Sequence, residues 1–263
     1  MRNQFSNKVL YLSALILTAF CSTDAFGHDG RRLDIQVINN QLFAQGFLSN
    51  PQPGSDDGGG LVRPYFNSIH DHFTNIGGTG IASLPGFDIT NTTPLQGSDV
   101  TLTLLGVSRW TPPALIGDGS TQDFGTPVLQ PLSTRETLSV GFPGSDQASI
   151  DNNSLGSFTL ASNIDASTAD ADLDLNYVIN LEPTSSIYAL RWQLSTTQPG
   201  IADSGDVYTV LAPDGMGFAE RLHFPTLALE EFLGTPTTAV PEPSSLALLS
   251  MMLIPIGLRR RRS

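Results

Sequence analysis

Between His28 and Val240 the chain has no cysteine and no lysine, and its one cysteine, Cys21, stands close to the N-terminus. The long middle therefore forms no disulfide, and thiol nucleophiles, zinc–thiolate centres and iron–sulfur clusters are excluded there. Positive charge is scarce as well. Over residues 28–240 seven arginines face 23 acidic residues, a net charge of about −16 against −12 for the whole chain. So acidic a surface repels a phosphate backbone, which sets nucleic acid aside as a partner and suits cations or neutral glycans. Also missing are a G-x-S-x-G nucleophile turn, an H-E-x-x-H zinc helix and any repeat of solenoid length. No motif in the body names a reaction.

What is present is alternation. Leu33, Ile35 and Val37 interleave with Asp34 and Gln36, the chain turns at Asn39-Asn40, and residues 42–47 return. This predicts a β-hairpin, because asparagine tolerates the positive φ that a tight turn needs. Ala171, Leu173, Leu175, Tyr177, Ile179 and Leu181 share one face of a second strand, with Asp170, Asp172, Asp174, Asn176 and Asn180 on the other. Tyr188, Leu190, Trp192 and Leu194 line a third. Residues 100–107, 137–142, 155–161 and 207–211 predict further strands, separated by stretches rich in Gly, Pro, Asn and Asp. Residues 28–234 therefore predict one all-β domain, an antiparallel β-sandwich or jelly roll, long enough for a core without bridges.

Two segments depart from that period. Over residues 63–76, Phe66, Ile69, Phe73 and Ile76 recur at helical spacing before Gly77-Gly78. They predict a short amphipathic helix. Residues 226–233 predict another, with Thr226 as cap and Gly234 as stop. Beyond it, residues 235–240 form a Pro/Thr-rich spacer.

Both ends carry targeting patterns. Arg2 and Lys8 precede an apolar run over residues 9–20, and Ala25 and Gly27 stand at −3 and −1 of a cleavage site before His28. Residues 1–27 thus predict a signal peptide. Phe20 occupies the place where lipidation of Cys21 would want a small residue. At the other end, Pro241-Glu242-Pro243-Ser244-Ser245 leads into the apolar residues 246–258, then Arg259, Arg260, Arg261 and Arg262. As a helix that run rises about 20 Å, short of the roughly 30 Å of a hydrocarbon core. It predicts a single C-terminal transmembrane helix that draws in the serines, with Pro255 tolerated inside and the arginines held on the cytoplasmic side.

The order of those features resembles the PEP-CTERM sorting signal of Gram-negative bacteria over residues 240–263, about the last tenth of the chain. The body resembles uncharacterised proteins that bear such a tail, through residues 27–32 and 188–194. The resemblance implies an exosortase-type processing enzyme as partner, transient anchoring in the inner membrane, and release or retention at the cell surface of a producer of extracellular polysaccharide.

Four chemistries in the body can be set beside plainer readings. Asp170, Asp172 and Asp174 on one strand face can take calcium. As an EF-hand they fail, with Leu175 at the sixth position and Leu181 at the twelfth, and a solvated strand face explains them as well. His70 and His72 would point to opposite sides of the predicted helix, so that they could not share a metal. On a strand they would point the same way. If cleavage exposes His28, its amine and imidazole can clasp copper with His70, His72 or His223, as in secreted copper-dependent polysaccharide monooxygenases. Finally, Glu230-Glu231 are adjacent on a predicted helix and diverge, unlike the opposed pair of a glycosidase. Among the aromatics, Trp110 precedes Thr111-Pro112-Pro113 in an expected loop and is the best candidate to stack on a sugar ring. A loop tryptophan plugging one end of the sandwich is its plainer reading, and the core is the place of Trp192.

The sequence thus predicts an exported surface or matrix protein, non-catalytic, with a structural or adhesive role in exopolysaccharide or biofilm. A glycan-binding module and a copper-dependent or hydrolytic polysaccharide-active enzyme are the alternatives.

Overall fold

The computed structural model describes residues 31–48, 67–76, 79–83, 85–117, 119–142, 150–170, 173–180, 186–214 and 219–234. Both terminal signals, with Cys21, His28, the 241–243 motif and Arg259 to Arg262, lie outside them.

The hairpin forms as expected. Strand β1 (Arg31–Ile38) pairs antiparallel with β2 (Gln41–Leu48). Asn39 and Asn40 sit at φ 52° and 62°, the left-handed pair that a two-residue turn requires. Strand β3 spans Ser68–Ile76, β4 Thr79–Ala82 and β5 Gly86–Asp88, and β5 lies parallel to the other edge of β1. These make a three-stranded sheet in the order β2-β1-β5.

The remaining strands are β6 (Val100–Trp110), β7 (Gln130–Pro131), β8 (Thr137–Gly141), β9 (Ile150–Asp151), β10 (Ser157–Ala161), β11 (Asn176–Asn180), β12 (Ile187–Thr196) and β13 (Val207–Asp214). With β3 and β4 they form a ten-stranded sheet, β10-β6-β12-β13-β3-β4-β11-β8-β9, and β7 pairs with β6. The body is thus β-rich, as the alternation predicts. The sheets are mixed rather than antiparallel throughout, since β13 runs parallel to β3 and β5 to β1.

One apolar cluster joins the two sheets. Leu33, Ile35 and Leu42 from the small sheet meet Ile69, Phe73, Leu102, Tyr177, Trp192 and Leu194 from the large one. Each fully buried Leu or Ile there contributes about 1.5–3 kcal/mol. Gly86 has a local reason: a Cβ on it would lie 2.7 Å from Asp174 Oδ1, where Asp174 and Asp88 clamp Arg32.

Residues 63–76 do not form the predicted helix; the described part is strand β3. Ile69 and Phe73 enter the main core while Ser68 and His70 are buried as well, so both faces of β3 are covered. The outer face stays polar in sequence though buried, and Asp71 between Ile69 and Phe73 interrupts the apolar face that would mark period two. The C-terminal helix α1 (Ala219–Leu233) is longer than predicted. Pro225 lies inside it, and Thr226 does not cap it but donates from Oγ1 to the Leu222 carbonyl at 2.6 Å. Gly234 does end it, its N–H reaching the Glu230 carbonyl at 2.8 Å. Among the described residues no helix is long and apolar enough to cross a membrane.

Candidate functional site

Helix α1 packs on the outer face of the large sheet, against β13 and β3. Its apolar contacts are Leu222 and Leu229, which form a second cluster with Trp110, Ile187, Ala189, Val210 and Ala212. Beside that cluster the interface turns polar. On β3, Ser68, His70 and His72 alternate toward the helix. From α1 come His223 and Glu230, and from the start of β1 comes Arg31. Arg31, His70 and Glu230 are all fully buried.

The predicted separation of His70 and His72 is therefore overturned. On a strand, residues two apart share a face, and the two rings lie 6.0 Å apart, edge to face. The His223 ring is 5.9 Å from that of His70. Three of the four histidines thus gather at one helix–sheet seam.

His70 Nδ1 is hydrogen-bonded to Glu230 Oε2 and lies 3.1 Å from Arg31 Nη1. A guanidinium only donates, and one ring nitrogen cannot donate and accept together. Nδ1–H donating to the carboxylate, with Arg31 alongside as counter-charge, is the assignment that leaves each group its ordinary charge. Ser68 Oγ donates to the Glu230 carbonyl at 3.1 Å, a further tie between β3 and the helix.

His72 is half-buried as a residue, yet both its ring nitrogens are buried. Its pKa is lowered to about 3, first by burial and then by the neighbouring His70, His223 and Arg31. This is a neutral imidazole held where a proton is unwelcome. Among the described residues, no group of three or more His, Cys, Asp or Glu side chains is arranged to hold a metal ion. The cluster thus joins a helix to a sheet around one neutral imidazole.

The other predicted sites disperse. Asp170 ends a 3-10 turn, Asp172 lies outside the described residues, and Asp174 bonds Arg32 Nη2 at 2.8 Å. Because Asp170 belongs to that turn and β11 begins only at Asn176, Asp170 and Asp174 do not share a strand face. Trp110 is not in a loop. It is the last residue of β6, 4% exposed, sealed beneath α1 with Phe124 edge-on to it, and is no open platform for a sugar. Trp192 is core, as expected, and donates from Nε1 to Thr209 Oγ1 at 3.0 Å.

A second buried polar group went unforeseen. Glu136 accepts from Arg109 Nη1 at 3.1 Å, the Tyr188 hydroxyl at 3.0 Å and the Ser133 N–H at 2.7 Å. Burial pushes its carboxyl upward, but those donors together outweigh it and the net shift is down. The group pins the chain entering β8 to β6 and β12.

Compared with protein-family models, curated proteins and solved structures, this chain finds no match in any of the three.

Proposed function

We propose that this chain is an exported protein, delivered to the cell surface or extracellular matrix by an exosortase-type system. Its acidic β body acts there without catalysis, in a structural or adhesive role in polysaccharide or biofilm. The observation that carries the reading is the order of the tail: Pro241-Glu242-Pro243, the apolar residues 246–258, then four arginines. The positive-inside rule fits that order, with the arginines cytoplasmic and the body outside. The body supports it in two ways. A helix ended by Gly234 stands directly before the spacer of residues 235–240, as a domain carried on a tether would. A net charge near −16 suits a hydrated matrix and not an anionic surface.

The finer architecture belongs to the same proposal. A β-sandwich of jelly-roll kind is supported by the single core that the three-stranded and ten-stranded sheets share. Glycan binding through Trp110 has lost its support, because that ring is covered.

Replacing Pro241, Glu242 and Pro243 together by alanine in the producing cell tests the sorting claim. The expected product is a heavier chain that keeps its tail and stays with the membrane fraction. Wild-type mass and wild-type distribution of the variant would defeat it.

A further inference from the structure

The geometry points to α1 as an acid-released latch: protons taken up in the histidine cluster undock the helix from the sheet while the main core stays closed. This inference stands apart from the sorting reading and uses only the seam between α1 and β3.

Three features carry it. First, α1 can leave without opening the core, since none of its described side chains belongs to the apolar cluster that unites the two sheets. Its own apolar anchors sit in the separate outer cluster. Second, the docking relies on direction-specific polar contacts: His70 with Glu230, and Ser68 with the Glu230 carbonyl. Pro225 removes one rung of the helix's own ladder, so α1 leans more on docking than an uninterrupted helix would.

Third, a proton on His72 worsens the charge balance of the cluster. Around His72 stand Arg31 from β1, His70 from its own strand, and His223 from α1. Glu230 supplies the carboxylate, bound to His70. From β13 the residue paired with His72 is the apolar Ala212. Asp71, next along β3, is on the opposite face, and its Oδ1 accepts the His72 backbone N–H at 2.8 Å. A proton on His72 would thus add positive charge beside Arg31 in a dry seam, whereas on an undocked helix it would meet water.

The direction follows from linkage. The docked form holds His72 at about 3, below its ordinary 6.5. The stabilisation is therefore complete above pH 6.5 and is lost progressively as pH falls toward 3. For one such group the opening constant of α1 rises on the order of a hundredfold between pH 7 and pH 4.

The chain's two tryptophans report on the two sides of this claim, Trp110 beneath α1 and Trp192 in the main core. In the full-length chain labelled with 5-fluorotryptophan, a fluorine NMR titration from pH 7 to pH 3 follows both. The Trp110 resonance should move toward its solvent-exposed position while that of Trp192 holds, and His72→Gln should shift the Trp110 change to lower pH. Two resonances changing at one midpoint, no change of Trp110 down to pH 3, or an unmoved midpoint in H72Q would each overturn the latch. Where H72Q fails to fold, the separation or coincidence of the two wild-type midpoints decides alone.

Discussion

Over residues 187–190 and 209–212, strands β12 and β13 are buried on both sides, but the two sides are built differently. Inward, Tyr188, Leu190, Trp192, Leu194 and Leu211 join a cluster fed by both sheets. Outward, Ile187, Ala189, Val210 and Ala212 lie under one helix, flanked by the Arg31–His70–Glu230 cluster. Apolar burial is non-directional and spread over many partners, so the inner face holds over a wide pH range. The outer face depends on a few oriented groups whose charge varies with pH. One sheet thus carries a durable face and a conditional one.

The comparison can be broken most severely from the inside. Trp192→Ala should cost about 4 kcal/mol by cavity formation and the loss of its bond to Thr209, lowering the denaturation midpoint of the whole body. Should Trp110 in this variant stay protected while the rest unfolds, the inner core is not what holds the fold. Next, Glu230→Ala should cost about 3 kcal/mol, because Arg31 and His70 stay behind in the buried seam without their carboxylate. Hydrogen exchange should place that loss in α1, leaving β6 and β12 protected; equal loss in both would merge the two faces into one unit. A similar effect, about 3 kcal/mol, is expected of Trp110→Ala, again confined to α1. If that variant instead keeps α1 protected and loses retention on the producer's polysaccharide, Trp110 is a ligand platform after all. The mildest change touches neither face. Asn40→Val puts a β-branched residue at φ 62° and should cost about 1 kcal/mol, read as a small shift of the urea midpoint.

How far the sequence reaches depends on which neighbours a residue has. The β1–β2 hairpin is readable because its turn is local and Asn39-Asn40 suit it. Strands β6, β8, β12 and β13 are readable because one face alternates apolar over several residues. Strand β3 is not: its neighbour β13 lies more than a hundred residues away in sequence and runs parallel to it. With Asp71 standing between them on the same face, Ile69 and Phe73 can be mistaken for a helical stripe. That one error hides the site, since His70 and His72 converge only on a strand. The clue available was His-Asp-His itself, whose two imidazoles a strand aligns and a helix parts. Arg31 gives no sign in sequence that it is fully buried, because the partner it meets, His70, lies 39 residues away on another strand. For Trp110 the reason is simpler, as Thr111-Pro112-Pro113 marks the end of β6 and not a loop that includes the tryptophan.

The measurement that bears most directly on the proposed role is the intact mass of the native chain from its own cells, in both surface fraction and medium. The account predicts a chain that begins at His28 and ends near Pro241-Glu242-Pro243. A mass that still contains residues 246–263 in the surface fraction, with no shorter form in the medium, would contradict it and leave a simple membrane-anchored protein.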